Sequence, residues 1–170
     1  MIRKWSFKRK NLNVFDFDDK TGVITNGREL NVQGQPTYGV EFSKSSDKLY
    51  ISTGSNNQGG PPGDAYIFQF SLSSDLISDI NSTRQNIAFT NSGYRGALQL
   101  ASNGKIYYSR GGTTYLGVIN SPEETGRDVN YNPQGVTLSS VAREGLPPFI
   151  QSFFLLLEVE HTQDLPNKLI

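Results

Sequence analysis

The side chains that could do chemistry in this chain are a handful of carboxylates and one imidazole. Cleaving a glycosidic bond takes two carboxyl groups on opposite sides of it, one of them kept protonated by its surroundings. Glu41, Asp64, Glu123 and Glu124 are the acids available for that work. Glu41 lies in a strand that recurs later in the chain with Gln99 in its place, and an acid exchanged for an amide reads as structural. Glu123 and Glu124 follow Pro122 in a turn and read as solvated. His161 is the only histidine and sits in a charged tail. A Ser-His-Asp triad needs an imidazole oriented between nucleophile and acid, and a multi-histidine zinc site needs more than one. Asp16, Asp18 and Asp19 have the close spacing of oxygen ligands in a calcium loop. Gly22 is out of EF-hand register, however, and no distal Glu follows. The expectation is an ordinary hairpin and no cofactor, with calcium on these three residues as the alternative. Gly54–Gly63 is glycine-rich but lacks the closing Gly-Lys-Ser/Thr, so it fails as a phosphate loop.

Composition narrows the classes further. Lys plus Arg equals Asp plus Glu at 16 each, for a formal net charge of zero. A broad electrostatic attraction to nucleic acid or anionic lipid is therefore not expected. The run Arg3, Lys4, Lys8, Arg9, Lys10 is interrupted by Trp5 and Phe7 and reads as a solvated strand edge. Cysteine is absent, which removes disulfides, thiolate metal sites and thiol nucleophiles together. No apolar segment follows the N-terminal charges, so no signal peptide is expected. Phe153–Leu157 is the most apolar run and is too short to span a bilayer. Hydrophobic residues make up 35% of the chain, and it holds 17 glycines, ten Phe and eight Tyr. That mixture suits many short strands joined by tight turns.

The elements that would position these residues are announced by a repeat. Tyr38–Ser52 and Arg95–Ser109 share one pattern: Gly, an alternating strand, a polar turn, then Lys-apolar-Tyr-x-Ser. The two copies lie about 57 residues apart, and an internal period of this size points to an array of supersecondary units. Hairpins are expected over Leu12–Asp18 with Val23–Thr25, Tyr38–Ser43 with Lys48–Thr53, and Gly96–Ala101 with Lys105–Ser109 around Asn103-Gly104. Residues 26–37 and Gly54–Asp64 read as loops. Further strands are expected at Tyr66–Leu72, Leu76–Ile80, Tyr115–Asn120, Gly135–Leu138 and Phe149–Val159. No convincing amphipathic helix appears, although residues 76–88 have room for a short one. Four antiparallel strands per repeat describe a propeller blade; a sandwich would not explain near-identical hairpins four strands apart. The fold class is thus all-β, with propeller-like blades of four-stranded antiparallel sheets. Residues 1–159 form a propeller segment of about three blades, and 160–170 a polar tail.

In a blade, the loop from the second to the third strand and the loop entering the first lie on one rim. That would gather Tyr38, Asn56, Asn57, Asp64, Tyr94, Arg95, Arg110 and Tyr115. Aromatics beside Asn, Asp and Arg offer stacking area and directional hydrogen bonds, as sugar- and peptide-binding surfaces do. Because closed propellers usually have four or more blades, three would leave apolar faces and strand edges open. A homodimer completing a six-blade ring is the expected remedy.

Several segments follow one another in a fixed order: Tyr38-Gly-Val-Glu-Phe-Ser, Asp47-Lys-Leu-Tyr, Ile67-Phe-Gln-Phe, Gly96-Ala-Leu-Gln-Leu-Ala, Gly104-Lys-Ile-Tyr, Tyr115-Leu-Gly-Val-Ile-Asn and Gly145-Leu-Pro-Pro-Phe-Ile-Gln-Ser-Phe-Phe. This order, over residues 12–154, resembles the propeller region of large surface proteins of gliding and related bacteria, the Bacteroidota. Those proteins often carry PKD-type repeats and a C-terminal sorting domain for type IX secretion. The chain departs from their pattern at Pro148, where an Asn is expected, and at Val129-Asn130-Tyr131, where a Cys often precedes the Asn-Tyr pair. The resemblance implies a fragment of a longer exported protein, located extracellularly or at the cell surface, and transfers no catalytic residue. The expected function is a non-catalytic binding or scaffold module with a glycan or protein partner, without nucleic acid or membrane insertion. A propeller-type polysaccharide lyase, glycosidase or lactonase-like hydrolase is the alternative.

Overall fold

The computed structural model describes residues 12–33, 35–55 and 62–147. Asn56 and Asn57, the basic N-terminal run, the strand expected at Phe149–Val159, His161 and the tail lie outside these residues. The protein is all-β apart from short helical turns. A hairpin of β1 (Leu12–Phe17) and β2 (Ile24–Leu30) is followed by two four-stranded antiparallel sheets. The first sheet has the order β3 (Thr37–Phe42), β4 (Lys48–Thr53), β5 (Gly63–Ser71), β6 (Gln85–Gly93). The second contains β7 (Leu98–Leu100), β8 (Ile106–Ser109), β9 (Tyr115–Ile119) and β10 (Tyr131–Thr137), again with chain neighbours paired. Among the described residues these sheets do not close into a ring.

The turns follow from their residues. Asp18 accepts backbone N–H bonds from Lys20 at 2.9 Å and Thr21 at 3.3 Å, and Gly22 takes the left-handed φ of +71° that closes the first hairpin. Gly104 does the same at φ +75° after Asn103, whose side chain accepts from the Lys105 N–H. A residue without Cβ adopts such a φ at no steric cost.

Two of the sequence expectations fail at the edges of the first unit. Residues 26–37 are not all loop, since β2 runs on to Leu30. The fourth strand of the first sheet is β6, not Leu76–Ile80. A six-residue helix, α1 (Ile77–Ser82), occupies that stretch. Ile77 and Ile80 are three apart, the spacing of a helix face; both pack onto the core while Leu76 remains exposed. Ser74 helps by accepting the Leu76 N–H and donating to the Asp79 carboxylate. Asp64 likewise falls at the start of β5 rather than in a loop, and β10 begins at Tyr131 rather than Gly135.

The middle strands of the first sheet, β4 and β5, are buried on both faces. Leu49, Ile51, Phe68 and Phe70 face one way, into a cluster with Leu30, Val32 and Ile80 under the β1–β2 hairpin and α1. Tyr50 and Ile67 face the other way, onto Leu98, Leu100, Ile106, Tyr108, Ile119 and Val129 around the second sheet. Every residue of β4 after Lys48 is therefore buried. Fully burying a large apolar side chain contributes roughly 1.5–3 kcal/mol, so these two clusters make the stack of hairpin, sheet and sheet the main source of stability.

Candidate functional site

The seam between the two sheets is built from the repeat itself. Cross-strand register aligns the copies: Glu41 pairs with Tyr50 in the first sheet as Gln99 pairs with Tyr107 in the second. In the first copy, buried Ser52 accepts the Gly39 N–H at 2.9 Å and donates to the Gly96 carbonyl at the entrance of the second sheet. Glu41 accepts the Leu100 N–H on β7 at 2.9 Å. In the second copy, Ser109 donates to the Arg143 carbonyl, and the Gln99 amide donates to the Pro147 carbonyl at 2.8 Å. The Ala97 N–H adds a bond to the Glu144 carbonyl at 2.7 Å. Equivalent residues thus fasten each unit to the segment that follows it.

A second set of contacts joins the sheets at the opposite strand ends. The Tyr50 hydroxyl donates to the Pro122 carbonyl and receives the Gln69 side-chain amide, both at 2.7 Å. Gln69 also donates to the Glu124 carbonyl and accepts the Gly126 N–H. Burial pushes the Tyr50 hydroxyl well above its ordinary pKa, with Glu123 adding to the rise and the Gln69 bond opposing it. Glu123, expected to be solvated, is exposed but engaged: its carboxylate accepts from the backbone N–H and the hydroxyl of Ser45. Partial burial would raise its pKa, but the hydrogen bonds from Ser45, Ser43 and the Lys44 backbone outweigh that and hold it below the usual value. Glu41 and Glu123 both serve the joint between units.

The residues expected on the rim separate into two groups. The Arg95 guanidinium lies 4.6 Å from the centroid of the Tyr38 ring, and its Nε and Nη2 reach Glu144 Oε2 at 3.1 Å each. Tyr94 and Arg110 instead line a cleft of about 100 Å³ between the outer strands of the first sheet and the second sheet. Tyr66, Phe89, Tyr108, Tyr131 and Pro133 complete its main walls. Asp64, exposed at the start of β5, and Tyr115, half-buried at the start of β9, line neither group.

Tyr108, Tyr131 and Glu144 were not anticipated as site residues. Tyr108 follows the repeat's own Tyr107 and reads as a strand residue. Tyr131 reaches the cleft because Asn130 takes a left-handed φ of +52° and because Gly117 leaves room for its ring, whose hydroxyl would sit 2.6 Å from a Cβ there.

The three aspartates of the first hairpin do not converge. Asp16 accepts from Asn26 at 2.8 Å and pairs with Arg28, while Asp18 caps its own turn. The Asn26 bond and the Arg28 charge hold the Asp16 pKa down against partial desolvation, and the Thr21 and Lys20 bonds lower that of Asp18. Among the described residues no group of three or more His, Cys, Asp or Glu gathers as a metal-ligand set. No helix among them is long and apolar enough to cross a membrane. Comparison with protein families, curated proteins and solved structures returns no match for this chain.

Proposed function

We propose that this chain is a run of β-propeller-type blades, about three in number, serving as a non-catalytic binding or scaffold module at a bacterial cell surface. The observation that carries the reading is the repeated fastening of one unit to the next: Ser52 and Glu41 in the first copy, Ser109 and Gln99 in the second. The first sheet also presents alternate faces to its two neighbours, as a blade within an array must. The acids best placed for catalysis are occupied in those joints, which favours binding over turnover. The resemblance to propeller regions of Bacteroidota surface proteins supports export, and the aromatic and Arg residues at the strand ends supply the contact chemistry for a glycan or protein partner. A second copy of the chain would close a six-blade ring.

A glycan array probed with the full chain, run beside turnover assays on polysaccharides and lactones, tests this reading. Binding without product formation is expected. Turnover that falls in Asp64→Asn or Glu41→Gln would overturn it in favour of a propeller enzyme. Sedimentation of a stable monomer would overturn the ring-closing dimer.

A further inference from the structure

We propose that the cleft between the sheets takes the carboxylate of a uronic-acid residue, so that the glycan bound is an acidic one; this rests on the surface-binding reading above. The cleft has a simple charge pattern. Among the described residues Arg110 is the only charged one lining it, with no carboxylate beside it there. Arg110 uses Nη1 to reach the Pro133 carbonyl at 2.8 Å, which fixes the guanidinium and leaves most of its N–H donors for a ligand. Planar guanidinium matches planar carboxylate, and the paired charges strengthen the bonds.

The hydroxyls around it are donors as well. Tyr131 has no hydrogen bond to another described side chain, and Tyr108 makes only a 3.3 Å bond to the Tyr94 carbonyl. Burial pushes the Tyr131 pKa up to about 12 despite the nearby Arg110, and raises Tyr108 as well. Both therefore keep their protons at neutral pH; Tyr131 can donate its own to an anion, while that of Tyr108 goes to the Tyr94 carbonyl.

Size and lining choose among carboxylates. The volume of about 100 Å³ equals roughly three waters at their share of liquid volume. That admits a carboxylate and the ring edge bearing it, and is far below the several hundred Å³ of a site for a larger organic ligand. Tyr66 and Phe89, with ring centroids 4.8 Å apart, form an apolar wall for the C–H face of a sugar. The Tyr131 hydroxyl can also meet a sugar hydroxyl. An aspartyl or glutamyl side chain would carry the carboxylate but has no ring face to lay on that aromatic wall.

The test is a titration of the full chain with sodium glucuronate, glucose and a capped Gly-Glu-Gly peptide, followed by amide chemical shifts. Glucuronate should shift residues around Arg110 and Tyr131 and bind more weakly at high salt, while glucose should not bind measurably. Arg110→Gln should weaken glucuronate at least tenfold, the size expected when a charge-assisted hydrogen bond is lost. Arg110→Lys should retain part of the binding, and Tyr131→Phe, which keeps the ring packing, should weaken it by a smaller factor. Unfolding curves of each variant separate lost binding from lost fold. No glucuronate binding, equal binding of glucose, tighter binding of the peptide, or an unchanged constant in folded Arg110→Gln would each overturn the proposal. Binding of neutral glycans elsewhere on the surface, with none of glucuronate, would sink the carboxylate claim and leave the broader binding reading intact.

Discussion

The two four-stranded sheets are built on one plan and differ in what they fasten to. In the first, Glu41 faces a strand, β7, that offers an N–H at Leu100. In the second, Gln99 faces Pro147, a residue with no N–H to give. A carboxylate can only accept, so it suits the first partner; an amide can donate, and Gln99 does so to the Pro147 carbonyl. The exchange of acid for amide between copies is thus set by the neighbour and not by chemistry at the site. The tyrosines differ in the same sense. Tyr50 is fully buried under the loop at Pro122, whereas its counterpart Tyr107 is only half-buried and meets Asn103 at the surface. An inner sheet is covered by its neighbour on both sides, and the outer one shows the face that such a neighbour would cover.

Substitutions can break this comparison, beginning with the most severe. Gly96→Ala should cost about 4 kcal/mol or more, in the exceptional range for a point change, because the added Cβ would lie 1.6 Å from the Ser109 carbonyl oxygen. Its counterpart Gly39→Ala should be somewhat milder, as its Cβ would meet the Ser52 hydroxyl at 2.7 Å and the Gly96 and Leu98 backbone at 2.8 and 2.9 Å, a shallower overlap than 1.6 Å. Urea unfolding of both variants checks the order. Gln69→Ala should follow at about 3 kcal/mol, since it removes the bond the buried Tyr50 hydroxyl accepts and unpairs the Glu124 carbonyl and the Gly126 N–H. The same measurement on Asn103→Ala, at the outer tyrosine, should register about 1 kcal/mol or less, since it loses only exposed bonds to the Tyr107 hydroxyl and from the Lys105 N–H.

Ser52→Ala should cost about 1–3 kcal/mol by leaving a buried donor and acceptor unmatched. Ser109→Ala loses a single bond to Arg143 and should cost less. Equal losses would show that the two joints are not distinguished by depth. The smallest effect concerns pH. The Glu123 pKa is lower folded than unfolded, so its contribution to stability is full above the unfolded value and fades as pH falls through the folded one. Acid titration of stability should lose this component in Glu123→Gln, while the variant stays less stable than the parent at neutral pH.

Much of the unit was legible in the sequence because its signals are local. Alternation in Leu12–Phe17 and Tyr38–Ser43, the Asn103-Gly104 turn and the Lys-apolar-Tyr-x-Ser ending each act over a few residues. The Glu41–Gln99 exchange was visible as a difference between the copies, and it falls where Glu41 accepts the Leu100 N–H. What failed was decided at a distance. Residues 77–82 turn into a helix because Ile77 and Ile80 meet Leu30 and Phe70 from elsewhere in the chain. The role of Glu123 depends on Ser45, brought close only when the sheets stack. The proposed rim divided because Arg95 turns onto Tyr38 while Arg110 turns toward Pro133, and no spacing rule encodes those directions. Tyr108 and Tyr131 were invisible as site residues for the same reason.

The claim that each unit is fastened to the next by an equivalent residue, with polarity set by the partner, is tested by exchanging those residues. Urea unfolding at pH 7 should find Glu41→Gln less stable than the parent by about 1 kcal/mol or less, because an amide oxygen can still accept the Leu100 N–H and only the exposed bond from the Phe42 N–H is lost. Gln99→Glu should be destabilised by about 1–3 kcal/mol, since it sets a carboxylate against the Pro147 carbonyl with no donor between them. That loss should shrink near pH 4, where the new acid regains a proton to donate. Equal effects of the two exchanges, or a Gln99→Glu variant as stable as the parent at pH 7, would contradict the account.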